Sequence, residues 1–184
     1  MTAAGMNVSR VVSLRNVRHP YARRILANLE GKDPLRVFAS GPSELRKSIR
    51  GLSAAQMRRR PGRGKWPIAW LVHHICDAEI ALAFRIRLAL AQSGTRFQAY
   101  DQDLWAAGLH YDRRSVADSV ALYTAMRKSH LELLRLGSGK ELRRYGIHEE
   151  RGKESVERLM HMLAGHDLNH LRQIRAIRAQ LSRR

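Results

Sequence analysis

Only one cysteine, Cys76, stands in the 184 residues, so the chain has no internal disulfide framework and no thiolate-rich zinc finger. Nothing in that cysteine usage asks for a compartment other than the reducing cytoplasm. Long apolar runs are missing as well. A membrane span needs roughly 18 consecutive apolar residues, and the best stretch, IAWLVHHICDAEIALAF, is interrupted by His73, His74, Asp77 and Glu79. The N-terminus lacks the unbroken apolar core of a secretory signal. Aromatic residues make up 6% of the chain, too few for stacking platforms on single-stranded nucleic acid. Acidic residues are scarce: 16 Asp and Glu against 34 Lys and Arg give a net charge of +18. A surface that basic attracts nucleic acid or anionic lipid in a salt-dependent way. The arginines nevertheless occur in every segment, Arg172, Arg175 and Arg178 on an outer helix face among them, rather than along one groove. Finally, no stretch alternates for long with the period of two that marks strands.

What remains is ordinary globular composition, 44% hydrophobic and 27% charged, on a length that suits one compact domain. The first acidic residue is Glu30, behind Arg10, Arg15, Arg18, Arg23 and Arg24. Residues 1–32 therefore read as a mobile basic extension, with a short helical pattern in RHPYARRILANLEG. A mitochondrial-type targeting sequence is Arg-rich and acid-poor in the same way; a plain extension is the simpler reading. Residues 33–184 read as helix after helix. The first is expected from Gly41 to Met57, with Pro42 near its start and Leu45, Ile49 and Leu52 on its apolar face, before RRRPGRGKW breaks it. The second begins at Pro67, a good first-turn residue, and runs to about Gln92 with Gly94 just beyond. After YDQDLWAAG, which holds one short helix at most, the third runs from Ser115 to Leu136, with Ser115 and Asp118 placed as an N-cap. An irregular stretch, ELRRYGIHEERGKES, leads to the last helix, Glu154 to Leu181. Four long amphipathic helices predict an all-α bundle.

The last of these helices carries His166 and His170, one turn apart in LMHMLAGHDLNHLRQIRAI. At about 100° per residue, His170 falls near 40° from His166, inside the arc of roughly 20–80° that holds Leu159, Leu163, Ile174, Ile177 and Leu181. Two imidazoles thus project into the face the helix should bury. Burying them is costly unless they are paired, and a divalent metal satisfies both. The bland alternative is a pair of satisfied core histidines in a His-rich chain. On the second helix the apolar face is set by Leu71, Ile75, Ala78, Leu82 and Ile86. His74 lies at its edge and His73 on the far side, so His74 is the inward residue; Cys76 points away from it. Three neutral histidines suit Zn²⁺ and also Ni²⁺ or Fe²⁺, and three protein ligands leave a position open, as catalytic rather than structural zinc sites do. His19, His110, His130, His148 and His161 show no comparable geometry and read as surface or loop residues.

The segment KWPIAWLVHHICDAEIALAFRIRLAL resembles the Trp-Ser-x-x-x-x-x-x-His-Leu-x-Asp-x-Glu signature of DinB-like domains, with Pro67 where a serine is common. GHDLNHLRQI resembles that superfamily's closing His-x-x-x-His helix. The similarity runs from about Asp33 to Leu181 and leaves the basic leader unexplained. It implies a four-helix up-down-down-up bundle, homodimerisation, and a divalent metal held by His74, His166 and His170. Members are described as metal-dependent hydrolases of small molecules, while some relatives use a low-molecular-weight thiol in transfer or isomerisation, and the fold does not choose between them.

Hydrolysis by metal-activated water is the leading expectation. Thiol transfer on the same metal is the alternative. A non-enzymatic basic protein binding nucleic acid or a partner, with metal for stability alone, is the third. No catalytic base stands out. The last helix reads His-Asp-x-x-His, not the His-Glu-x-x-His of zinc proteases. Asp167 is expected to pair with an arginine rather than orient a ligand. Asp77 and Glu79 are expected to hold a histidine tautomer or to pair with Arg85 and Arg87, a structural job for either, and Asp101 or Asp103 to approach a pocket or cap a short helix.

Overall fold

A computed structural model describes residues 8–9 and 12–181. In chain order the elements are α1 (Pro20–Ala27), α2 (Pro34–Ile49), α3 (Ala54–Arg58), α4 (Ile68–Ala91), β1 (Arg96–Phe97), α5 (Gln102–Gly108), α6 (Val116–Leu136), α7 (Gly139–Leu142), β2 (Tyr145–His148), β3 (Gly152–Ser155) and α8 (Val156–Leu181). The four long helices form an up-down-down-up bundle. α8 packs on α2 and α4, and α6 on the same two, so α2 and α4 stand at opposite corners. None of the described helices is long and apolar enough to cross a membrane.

The first long helix starts seven residues earlier than its periodicity suggests. Asp33 caps it, its Oδ1 accepting the N–H groups of Leu35 (2.9 Å) and Arg36 (3.1 Å), with Pro34 in the first turn. Pro42 lies inside α2 instead of opening it. The helix stops at Ile49, ahead of Gly51 at φ +79°, and α3 is a separate turn closed by a Ser53/Gln56 capping box. Ser115 caps α6 through the Asp118 N–H at 3.2 Å, and Asp101 caps α5.

Two further expectations are corrected. The basic extension is not separate from the domain where it is described: α1 lies against α8, and Ala22, Ile25, Leu26 and Leu29 join the main apolar core. Asn28 Nδ2 donates to the Gly165 carbonyl (3.1 Å), and a Cβ at Gly165 would collide with the backbone of Ile25. Its first seven residues, with residues 10 and 11, lie outside the described residues. The stretch ahead of the last helix is also not irregular. β2 pairs antiparallel with β3 (Tyr145↔Ser155, His148↔Gly152) and parallel with β1 (Phe97↔His148), so α8 begins at Val156 and not at Glu154. Gly146 is required there because the Phe97 ring fills the space a side chain would need.

Candidate metal centre

α4 is buried nearly all round along its first half, and that stretch contains four histidine and carboxylate side chains: His73, His74, Asp77 and Glu79. Each needs a partner, because a buried polar group without one is expensive. His73 Nδ1 meets Ser119 Oγ at 2.8 Å. Asp77 takes both terminal nitrogens of Arg114 (2.6 and 3.1 Å). Glu79 takes Arg127 Nε (2.9 Å) and Nη2 (2.6 Å), and His130 Nδ1 (2.7 Å). The partners expected from sequence, Arg85 and Arg87, are otherwise engaged; Arg87 reaches His130 Nε2 and Ser129 Oγ. His74 alone finds only other imidazoles.

Those imidazoles belong to His166 and His170, and all three rings are buried. His166 Nε2 lies 3.0 Å from His74 Nε2 and 3.0 Å from His170 Nε2. One donor atom from each ring falls within 4.8 Å of the others. Hydrogen bonding does not account for this meeting. His170 Nδ1 sits 2.9 Å from Gln173 Oε1, an acceptor, so Nδ1 carries the proton and Nε2 presents its lone pair. His166 Nε2 has one lone pair or one proton to offer, yet two nitrogens approach it at 3.0 Å, so one contact is always unmatched. Protonation is no remedy. Burial, reinforced by His170, pushes His74 down to about 3. Burial pushes His170 to about 4 despite Gln173. Burial and both neighbouring rings hold His166 well below its ordinary value. Three converging neutral nitrogens fit a divalent cation: metal–nitrogen bonds of about 2.0–2.1 Å place tetrahedral ligand nitrogens about 3.4 Å apart.

Cys76 faces away from the cluster in a buried position, and burial lifts its thiol to about 11. Asp167, next to His166, turns instead to Arg127 Nη1 (2.9 Å) and Tyr123 Oη (2.8 Å) through Oδ2. Burial holds Asp167 above the usual carboxylate range even with Arg127 beside it. Glu79 is pulled below that range by the same guanidinium against the effect of its own burial.

A cavity of about 590 Å³ opens in front of the cluster, with His74 and His166 on one wall. The other walls come from elements that periodicity did not reveal as relevant: Tyr21 at the start of α1, Tyr100 after β1, and His148 on β2. His170 faces a second cavity, about 750 Å³, beside Trp66 and Gln173. His130, His148 and His161, expected at the surface or in loops, are all buried. His130 lies on the same stripe of α6 as Tyr123, Arg127 and Leu134, a spacing of three and four that could have marked it.

A model of the DinB superfamily matches residues 38–174. The chain belongs to the DinB superfamily. Among its relatives, a protein of Bacillus cereus (strain 03BB102) named "Putative metal-dependent hydrolase" is 26% identical over 141 residues, covering 77% of this chain and 81% of the relative. An Oceanobacillus iheyensis protein with the same name is 26% identical over 136 residues, covering 74% and 78%. Among solved structures, YfiT from Bacillus subtilis, described as "a probable metal-dependent hydrolase with an unusual four-helix bundle topology", superposes with a TM-score of 0.76 at 16% identity over 95% of both chains. That likeness carries the DinB fold.

Proposed function

We propose that the protein is a metal-dependent hydrolase of a small molecule, with one divalent cation held by His74, His166 and His170. The observation that carries this reading is the approach of two nitrogens to His166 Nε2 at 3.0 Å each, a meeting that hydrogen bonds leave half unmatched. The relatives' names agree with it. Zinc is the first candidate, nickel or iron the next, since imidazole suits all three. Held by three neutral imidazoles, such a cation keeps its full charge and acts as a Lewis acid that lowers the pKa of water or polarises a substrate oxygen.

The chain's own residues supply the setting. Gln173 fixes the His170 tautomer. The Trp66 ring, 5.4 Å from that of His74, packs against it edge-on. The 590 Å³ cavity admits a small molecule rather than a polymer. Asp77, Glu79 and Asp167 hold arginines, so the base is assigned to none of them.

Elemental analysis of protein purified without an affinity tag, repeated on His74→Ala, tests the reading together with turnover of model esters and amides. One divalent ion per chain, lost with turnover in the variant, is expected. Metal content unchanged by the substitution, or turnover of thiol acceptors without any hydrolysis, would overturn it.

A further inference from the structure

We infer that the wall of the cavity formed by Arg85 and His148 is an oxyanion clamp, binding a carboxylate or phosphate group of the substrate while its reacting end lies toward the three imidazoles. The inference rests on the hydrolase reading for what the bound molecule undergoes, though not for the clamp itself.

Arg85 is 5% exposed and lines the cavity. Its Nη2 donates to the Gln98 carbonyl, and its guanidinium lies 6.0 Å from the Phe97 ring centre and 5.9 Å from that of Tyr100. Among the described residues it forms no ion pair. Other buried or half-buried arginines do: Arg127 with Glu79 and Asp167, Arg114 with Asp77, and Arg151 with Glu154 at 2.8 Å. Among the described residues lining the cavity Glu150 alone carries a carboxylate, and it is exposed and not paired with Arg85, so the buried guanidinium is a charge waiting for its counterpart.

His148 supplies the second donor. It is 1% exposed and lines the same cavity. The Glu150 N–H donates to its Nδ1 at 3.2 Å, so in the uncharged ring the proton sits on Nε2, and that buried Nε2 has no partner. Burial, with Arg151 nearby, pushes the ring down to about 4, which keeps it uncharged at neutral pH. An N–H and a guanidinium fork on one wall match the oxygens of an anion. The nearby carboxylates do not compete: Glu154 is held by Arg151, Glu149 accepts the Ala99 N–H at 2.7 Å, and Glu150 is exposed. The sheet is what places these groups, since Phe97↔His148 is a β1–β2 pair and Arg85 reaches over from α4.

The test is a titration of the full-length protein with sodium acetate and, separately, inorganic phosphate at constant ionic strength. The NMR signals of the His148 ring and the Arg85 Nε–H are followed, with the metal present and after chelation. Saturable shifts in at least one arm, unchanged by chelation and weakened about tenfold or more in Arg85→Gln, are expected. Saturation by acetate alone assigns a carboxylate substrate, and by phosphate alone a phosphate ester. No saturable shift in wild type overturns the clamp, a result that does not depend on any variant folding. Shifts that vanish on chelation overturn it too, because the anion then sits on the metal. Saturable shifts in a protein that neither carries a divalent metal as purified nor takes one up when it is supplied would leave the clamp standing and refute the hydrolase.

Discussion

Two polar clusters are buried between the same helices, and they answer the cost of burial in opposite ways. Around Arg127, every charge meets its opposite: Glu79 from α4, Asp167 from α8 and the Phe38 carbonyl from α2 converge on one guanidinium. Five residues earlier on α4, His74 meets only like groups. The first cluster finds its partners within the chain, Asp167 Oδ1 excepted, and ties four helices together; the second finds unlike partners only with a cation added. Both clusters are buried, so burial alone does not separate a structural polar group from a functional one. What separates them is whether the buried groups meet opposite charges or only groups like themselves.

The comparison can be broken most severely at Arg127. Arg127→Met leaves Glu79 and Asp167 buried without their cation and should cost about 3–5 kcal/mol in urea unfolding. Metal bound per folded molecule should not change; a matching loss of metal would join the two clusters into one. Gly41→Ala comes next. A Cβ there would lie under 3.0 Å from Tyr123 Oη, Asp167 Oδ2 and Arg127 Nη1, and overpacking should cost about 1–3 kcal/mol by the same measurement. On the histidine side, Gln173→Leu removes the acceptor that fixes the His170 tautomer. Metal affinity, read by competition with a chelator, should fall about 10-fold to 100-fold, while the stability of the chelated protein stays put.

The smallest effect concerns acid. His148 is pushed below its ordinary 6.5 to about 4 in the folded chain, so the unfolded chain takes the proton first as pH falls. Its contribution to stability is therefore complete above about pH 6.5 and lost as pH drops through about 4. The difference in melting temperature between wild type and His148→Gln should shrink across that window. A constant difference would mean that the ring's burial is not felt.

The helices and the histidine trio were legible for one reason. A period of 3.6 residues places His166 and His170 on the same arc as Leu163 and Ile174, and His74 at the edge of the arc of Leu71 and Ile75, and those are the three rings that meet. What stayed hidden has no such period. β1 is two residues long and β2 and β3 four each, too short for alternation to rise above chance, yet this sheet places His148 and Tyr100 against the cavity. α1 read as basic because its arginines dominate the count, although Ile25 and Leu26 decide its packing. Salt-bridge partners were misjudged because Asp77 and Glu79 were matched within their own helix, whereas Arg114 and Arg127 arrive from 37 and 48 residues away.

Pro42 was read as punctuation, and its place inside α2 has a larger consequence. A proline has no N–H to give, so the carbonyl four residues back, that of Phe38, receives no bond from its own helix; Arg127 Nη1 donates to it at 2.5 Å. No other position in the interior of α2 leaves such a gap. The defect therefore acts as a keyed notch: slipping α2 by one turn against α6 would strand the guanidinium. A single missing hydrogen sets the register of the scaffold behind the site.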